Sequence, residues 1–326
     1  MNKLLYLLLI AVCWSCSQDS ETEKHQSKRD QVVDVRDKMK EFSTQDVLIG
    51  RISRTYLIDN YLIVTDYNSP DKLIHLFDKN TFEHLASSTY QGQGPDEITI
   101  IGHVGIDETN RRFFVSDHGK LKIFAYDLEY QPSVKIDMKK KLFPDDYLYL
   151  NDTLCIAKII EPIGNNDYKP SVARWNMATG EINPMPYEYP DLKKVRFIYA
   201  ASAEHQLYVQ CYTQYDLMTI CDFNGNLKCN IYGPKWVNEK TQTQHYSLGV
   251  EFCGDKILAL YSGGDHRTDA YYPTKFLVFD LNGNYLKTLE TGYMITDFCY
   301  DKENNRLIIN LNDEIQFTYL DLEGII

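Results

Sequence analysis

A short apolar strand that follows a polar turn recurs six times in the sequence. Each strand segment is four residues long. The segments follow one another at intervals of about fifty residues, a spacing typical of repeat architectures. The six copies are Tyr61–Val64, Arg112–Val115, Thr153–Ile156, Gln206–Val209, Lys256–Ala259 and Arg306–Ile309. The chain must therefore fold as an array of six similar units.

A second landmark follows each copy one strand later. It is an apolar residue or cysteine followed by Asp or Asn, whose side chain can cap a turn. The six pairs are Phe77-Asp78, Tyr126-Asp127, Trp175-Asn176, Cys221-Asp222, Phe279-Asp280 and Leu320-Asp321. Turn sequences such as Asn224–Asn226 and Asn282–Asn284 come next, and Asn-Gly turns favour hairpins. Each unit is predicted to be a meander of four antiparallel strands.

These units predict an all-β fold, a six-bladed β-propeller of four-stranded antiparallel blades over residues 31–326. No helical pattern of useful length competes with the strands, and radial closure limits exposed sheet edges. After Asp321 only Leu322–Ile326 remain, which is too short for the last outer strand. We expect residues 31–40, with Val32, Val33 and Val35, to supply that strand and close the ring.

The N-terminal residues carry the signature of an export signal. One basic residue, Lys3, precedes the apolar run Leu4–Val12, which is shorter than a membrane span. Ser15 and Cys16 fit the cleavage and acylation site of bacterial lipoproteins. Residues 1–15 are thus predicted to be a lipoprotein signal peptide, Cys16 the lipid anchor to the membrane, and residues 16–30 a flexible acidic tether.

The acidic residues just after Cys16 favour a cell-envelope location, as an outer membrane lipoprotein exposed at the surface. The whole chain has 46 acidic and 34 basic residues and a net charge of −12. Nucleic acids are bound through Lys and Arg that neutralise phosphates, so this balance opposes a nucleic-acid partner.

Six cysteines remain beyond the leader, in a compartment that permits disulfides. Cys211 and Cys221 are spaced to face each other across a hairpin. The alternative is that they are buried free thiols, because an unpaired cysteine packs as a small hydrophobic side chain.

Two sequence features resemble known propeller families. Val64–Asp66 and Val115–Asp117 resemble the repeat of NHL-type six-bladed propellers. Gly92–Ile98 resembles the junction between early blades of the TolB-like propeller lipoproteins of Bacteroidota, although Asp96 and Ile98 depart from its commonest form. The resemblance implies the fold and the envelope location, and it carries no catalytic residue onto this chain. Gly92–Ile98 is accordingly interpreted as a blade-connecting turn rather than a phosphate loop, since no helix or Lys follows directly.

The sequence lacks the common catalytic and metal-binding motifs. It has no Gly-x-Ser-x-Gly elbow, no His-x-x-x-His pair and no calcium-binding loop of alternating Asp residues. No catalytic residue or cofactor is therefore predicted, and calcium stays open because propeller axes can gather Asp and Asn oxygens.

Loops after the second strand of several units should share one rim, where insertions often bind ligands. The longest insertion, Tyr261–Pro273, lies there. The alternatives are a solvated rim without ligand and, for Asp66 and Asp117, turn capping. The predicted rim residues are Asp66, Tyr67, Asp117, His118, Tyr212, Asp265, His266 and Arg267.

The leading functional hypothesis is a non-enzymatic binding module for a protein, peptide or glycan. One alternative is a calcium-dependent propeller hydrolase, since similar six-bladed propellers include lactonases. Another is a structural subunit of an envelope complex, which predicts an exposed apolar patch.

Overall fold

The described part of the chain forms six separate sheets of mainly antiparallel strands, with almost no helix. The computed structural model describes residues 20–44, 47–128, 142–164, 167–190, 192 and 195–326, and the backbone of residues 132–137. The predicted signal peptide, residues 1–15, and Cys16 lie outside the described residues. Within the described residues no helix has the length and apolar character to cross a bilayer.

Three short strands precede the first blade. They are β1 (Glu23–His25), β2 (Val32–Asp34) and β3 (Lys40–Glu41). A single turn of 3₁₀ helix, Arg36–Lys38, lies between β2 and β3. These elements do not form a sheet of their own, because each pairs with a different blade.

The first three blades each contain four consecutive strands. Blade 1 consists of β4 (Ser53–Ile58), β5 (Tyr61–Asp66), β6 (Lys72–Asp78) and β7 (His84–Tyr90). Blade 2 consists of β8 (Ile101–Asp107), β9 (Arg112–Asp117), β10 (Lys122–Asp127) and β11 (Pro132–Asp137). Blade 3 consists of β12 (Pro144–Asn151), β13 (Leu154–Gly164), β14 (Asp167–Trp175) and β15 (Ile182–Pro184).

Blades 4 and 5 repeat this meander, and blade 6 has three consecutive strands. Blade 4 consists of β16 (Phe197–Ser202), β17 (Leu207–Tyr212), β18 (Leu217–Asp222) and β19 (Leu227–Tyr232). Blade 5 consists of β20 (Thr243–Cys253), β21 (Lys256–Asp265), β22 (Lys275–Asp280) and β23 (Tyr285–Glu290), with a 3₁₀ turn at Asp269–Tyr271. Blade 6 consists of β24 (Ile295–Asp301), β25 (Arg306–Leu311) and β26 (Phe317–Asp321).

The core is divided into six hydrophobic clusters, one between each pair of neighbouring blades. The cluster between blades 6 and 1 joins Ile308 and Phe317 to Leu62 and Phe77, so the ring is closed. Middle strands such as β17 and β25 are buried along their whole length. Strands buried on both faces need apolar residues at consecutive positions, and this is why the repeated pattern is a run rather than an alternation. The predicted six-bladed propeller is confirmed.

An N-terminal strand closes blade 6, as predicted. Strand β3 is antiparallel to β26, with Lys40 opposite Tyr319 and Glu41 opposite Thr318. The closing residues differ from the expected ones, because Val32 and Val33 belong to β2, which pairs with blade 5. The apolar side chains of Val33 and Val35 pack into the cluster between blades 5 and 6.

Residues 20–41 form a strap around three blades, which differs from the flexible tether expected over residues 16–30. Strand β1 runs parallel to β19 of blade 4, and β2 runs parallel to β23 of blade 5. Each therefore adds a fifth strand that covers an exposed sheet edge. Arg29, between them, is buried in an ion pair with Asp216. The polar sequence of this segment predicted that it would be solvated. In the structure, this ion pair and the backbone hydrogen bonds of β1 and β2 hold the segment on the ring.

Gly92–Ile98 is the predicted connection between blades 1 and 2. Lys120 Nζ donates to the carbonyl oxygens of Gly94 and Glu97, both at 2.7 Å, and Glu97 Oε2 accepts from Gly94 N at 2.7 Å. A Cβ at Gly92 would collide with Glu97 Oε2, so a side chain at this position would displace the folded-back carboxylate. The loop's polar groups are thus engaged in its own closure.

The cysteines of the propeller are buried free thiols. Cys211 lies opposite Met218, and Cys221 lies opposite Tyr208. The hairpin disulfide considered from the sequence is therefore absent, because the register of β17 and β18 separates the two cysteines.

Candidate functional site

The ring has two rims, and all eight predicted rim residues lie on one of them. In each blade the first strand begins, and the second strand ends, on the same side. Backbone hydrogen bonds tie these points together: Tyr67 N to Ile52 O at 3.0 Å, His118 N to Ile100 O at 2.9 Å, and Thr213 N to Arg196 O at 2.9 Å. We call this side the entry rim and the other side the opposite rim.

Asp66 and Asp117 shape the entry rim from inside. Asp66 is 1 % exposed and accepts from Gly50 N at 2.6 Å and Asn68 N at 3.0 Å. Asp117 is fully buried and accepts backbone N–H groups of Thr99, Ile100, Gly119 and Lys120. Their carboxylates are occupied by backbone donors, so the turn-capping interpretation describes both residues.

The remaining aromatic rim residues are also largely enclosed. Tyr212 is 3 % exposed and packs edge-on against Phe197. Tyr67 donates its hydroxyl to Gly102 O at 3.3 Å, and burial raises the pKa of its phenol. His118 lies edge-on to Phe143, and burial lowers the pKa of its imidazole.

Asp265, His266 and Arg267 lie together on the insertion of blade 5. Asp265 accepts from Arg267 Nε at 3.2 Å, Nη2 at 3.1 Å and its backbone N at 2.9 Å. Hydrogen bonds from Arg267 lower the pKa of Asp265 to about 2. His266 Nδ1 lies 2.9 Å from Gln242 O. These three residues form an exposed charged corner of blade 5. Asp66 and Asp117 lie on blades 1 and 2, so the predicted rim residues do not form one cluster.

Exposed apolar side chains concentrate on the entry rim. Among the described residues nine large hydrophobic side chains are strongly exposed, and seven of them lie on loops or strand ends of this rim. The seven are Leu48, Ile52, Tyr90, Ile100, Ile163, Tyr168 and Val237. The other two, Val32 and Leu85, lie on outer strands of blades 5 and 1. Single exposed hydrophobic residues are common, but such a bias to one face is typical of a contact surface.

An axial cavity of about 450 Å³ runs between the innermost strands of all six blades. The end toward the opposite rim is lined by Leu57, Ile106, Ala201 and Phe252, together with Glu108, Ser202 and Glu251. The charged and titratable side chains toward the entry rim are Arg54, His103, Asp145, Asp146, Lys158 and Asp297. They come from five strands that the sequence keeps far apart.

Most of these cavity groups already have partners. Lys158 Nζ lies 2.7 Å from Asp145 Oδ2, and His103 Nδ1 lies 3.1 Å from Asp146 Oδ1. His103 Nε2 donates to Tyr147 O at 2.8 Å, because a carbonyl can only accept. Asp297 Oδ2 accepts from Thr55 N at 2.7 Å and Thr55 Oγ1 at 2.9 Å.

Two carboxyls of the cavity hold protons more tightly than usual. Burial raises the pKa of Glu251 to about 8, and the neighbouring Asp297 carboxylate adds to this, against the hydrogen bond from Tyr300 N at 2.9 Å. Burial also raises the pKa of Asp297 to about 6, although Arg54 opposes the shift. At neutral pH Glu251 is therefore an uncharged acid, while Asp297 is mostly ionised.

The raised pKa of Glu251 predicts a pH-dependent stability that Glu251→Gln removes. Its folded-state pKa lies above its ordinary value, so the stabilisation is complete below about pH 4.5 and is lost as the pH rises through about 8. One proton changes the free energy of unfolding by at most about 1.4 kcal/mol per pH unit in this window. Denaturant unfolding between pH 5.5 and about 8.5 should show wild type losing stability relative to Glu251→Gln.

The matched control is Glu181→Gln, on an exposed turn of the opposite rim. Its pH profile should run parallel to that of the wild type. If the Glu251→Gln profile were also parallel, Glu251 would be ionised in the folded protein and the predicted protonation state would be wrong.

No metal site is evident in this cavity. Across the described ranges, no group of three or more His, Cys, Asp or Glu side chains is arranged to hold a metal ion. Two of the carboxylates here, Asp297 and Asp145, are instead engaged by Thr55 and Lys158.

Comparison with known proteins supports the same architecture. The family model described as DUF5128, a 6-bladed beta-propeller, matches residues 22–151. That part of the chain resembles this family. The match runs from the strap to the end of β12 and covers less than half of the sequence. Among curated proteins none matches the chain.

Two solved structures from Bacteroides share the fold across nearly the whole chain. A member of the DUF4221 family from Bacteroides vulgatus has 11 % identity and a TM-score of 0.57, covering 87 % of this chain and 95 % of its own. A Bacteroides fragilis protein assigned as exported has 10 % identity and a TM-score of 0.59, covering 92 % and 98 %. At these identities the likeness shows the fold alone. The TolB-like, NHL-like and lipoprotein assignments stay predictions.

Proposed function

We propose that this propeller is a binding module of the cell envelope, anchored through Cys16, that holds a protein partner on its entry rim. The observation that supports this is the concentration of exposed apolar side chains on that rim. Burying one such side chain against a partner contributes about 1.5–3 kcal/mol, so a few of them suffice for a specific complex.

The shape of the rim suits a protein surface better than a small ligand. Ile100 lies on the connection between blades 1 and 2, and Ile163 and Tyr168 lie on the hairpin of blade 3. Asp66 and Asp117 hold the supporting turns through backbone bonds. The parts of the rim on blades 1 and 2 are preorganised in this way, which reduces the ordering cost of binding there.

The alternatives differ in what they predict for this rim. A glycan-binding surface would use exposed polar groups such as the Asp265–Arg267 corner rather than aliphatic side chains. A structural subunit would use the same apolar rim, but in a permanent complex. No observation favours the calcium-dependent hydrolase, since no suitable ligand group occurs among the described residues.

Site-specific photo-crosslinking in cells tests the proposal. A photoreactive amino acid placed at Ile100 or Ile163 should give a discrete adduct with one protein, and the same probe at Leu85 should not. Leu85 is the matched control because it is also an exposed aliphatic residue but lies on the outer strand of blade 1. Adding Ile52→Asp to the Ile100 probe should reduce the adduct, because a charge then replaces a buried contact.

Equal labelling from positions 100 and 85, or adducts only with lipid, would overturn the protein-binding proposal. Adducts that survive purification in a fixed stoichiometry would instead identify a structural subunit. If Arg267→Ala abolished partner binding while Ile52→Asp bound the partner as wild type does, the binding site would be the charged corner of blade 5.

A further inference from the structure

Arg54, toward the entry rim of the axial cavity, is a charged group that forms no ion pair with any described residue. It lies on β4, the innermost strand of blade 1, and its side chain is open to the solvent of the cavity. Lys158 is paired with Asp145, Asp146 lies against His103, and Asp297 is bonded to Thr55. None of these carboxylates forms an ion pair with Arg54 within the described residues.

The surroundings of Arg54 form a donor-rich pocket. Tyr56 and Tyr67 both lie near the guanidinium, on the same blade. The Tyr56 hydroxyl is buried and has no hydrogen-bond partner among the described atoms. A buried hydroxyl without a partner is costly, and a bound acceptor atom would remove that cost. Arg54 and Tyr56 both line the cavity and lie close to each other, so one bound molecule can contact both residues.

We propose that the axial cavity binds a small carboxylate that also carries hydroxyl or ammonium groups, with Arg54 as its anchor. The planar guanidinium donates two parallel hydrogen bonds to a carboxylate. The remaining hydroxyl or ammonium groups would donate to the free lone pairs of Asp145, Asp146 and Asp297. This small-molecule site is independent of the protein-binding surface proposed for the entry rim.

The charge and size of the cavity select among anions. The carboxylates of Asp145, Asp146 and Asp297 face the same space, so they repel a doubly charged phosphate more strongly than a single carboxylate. A volume of about 450 Å³ lies within the range of small-molecule sites. Sugar acids and α-amino acids both combine one carboxylate with several hydrogen-bond donors.

Calorimetric titration of the full-length protein tests this site with defined probes. The probes are glucuronate, galacturonate, a set of α-amino acids, glucose and inorganic phosphate. We expect at least one carboxylate to bind, glucose not to bind, and Arg54→Gln to weaken carboxylate binding about tenfold or more. Arg54→Lys should recover only part of the affinity, because an ammonium cannot make the bidentate contact.

Arg51→Gln is the matched control, since Arg51 is an exposed arginine next to β4 that does not line the cavity. Its affinity should equal that of the wild type. Because Arg54 lies near Asp146 and Asp297, removing its charge also changes the protein without ligand, so far-UV circular dichroism and the ligand-free melting temperature are used to establish that Arg54→Gln is folded at the titration temperature. Absence of binding by every carboxylate at millimolar concentration, equal binding by Arg54→Gln, or tighter binding of phosphate would each overturn the proposal.

Discussion

Asp301→Asn should lower the free energy of unfolding by about 3–5 kcal/mol, the range for removing one partner of a buried ion pair. Asp301 is 1 % exposed and lies 3.3 Å from Lys79 Nζ and 3.0 Å from Arg306 Nε. Without its charge, the nearly buried Arg306 loses its carboxylate partner, and Lys79 keeps only the exposed Glu303, at 2.6 Å. Arg306 also donates to Lys79 O at 2.6 Å, so the defect falls on the seam between blades 6 and 1. Denaturant unfolding measures the loss.

Asp107→Asn is the matched comparison for this prediction. Asp107, Asn110 and Arg112 make the same turn in blade 2 that Asp301, Asn304 and Arg306 make in blade 6. Arg112 is 27 % exposed and can be solvated when its partner is removed, so the loss should be clearly smaller. If both variants lost the same free energy of unfolding, the contacts between blades 6 and 1 would contribute no more to stability than those of the blade 2 turn.

Arg29→Met should release the strap from blades 4 and 5. Arg29 donates to Asp216 Oδ1 at 2.9 Å and to Tyr246 OH at 3.0 Å, and its guanidinium lies 5.1 Å from the centroid of the Tyr261 ring. Methionine fills similar space but leaves Asp216, which is fully buried, without its cation. Keeping that charge buried costs about 3–5 kcal/mol, and undocking the strap admits water to it instead.

Hydrogen exchange distinguishes local release from global unfolding. In Arg29→Met, amides of β1 should exchange about a hundredfold faster or more, while the β17 and β25 amides keep their protection. Lys28→Met is the control, since Lys28 is exposed and its ion-pair partner among the described residues is Asp30, also at the surface. Unchanged protection of β1 in Arg29→Met would show that the β1 and β19 ladder alone holds the strap.

The repeat predicted the ring because each blade depends mainly on local patterns. Strand runs such as Tyr61–Val64 and turns such as Asn224–Asn226 specify one blade at a time, and radial packing of six similar units follows. Capping by Asp66 and Asp117 was visible for the same reason, since each carboxylate bonds backbone close to it in sequence or across one hairpin.

The strap and the axial cavity could not be predicted from local patterns. Arg29 and Asp216 are far apart in sequence, and an isolated arginine in a polar segment looks solvated. Arg54, Asp146 and Asp297 come from three blades, and only the closed ring brings them together. One signal was available: the spacing Asp-x-x-Asn-x-Arg occurs at 107–112 and again at 301–306, and it marks turns that reach toward the next blade.

The strap also limits how the ring can sit on a membrane. Ser20 pairs with Glu23 beside the outer edge of blade 4, and four peptide units separate Ser20 from Cys16. A chain of that length spans at most about 14 Å. A lipid on Cys16 would therefore keep the outer edge of blade 4 within about this distance of the bilayer surface. Of the six blades, blade 4 would then lie nearest to the anchoring lipid.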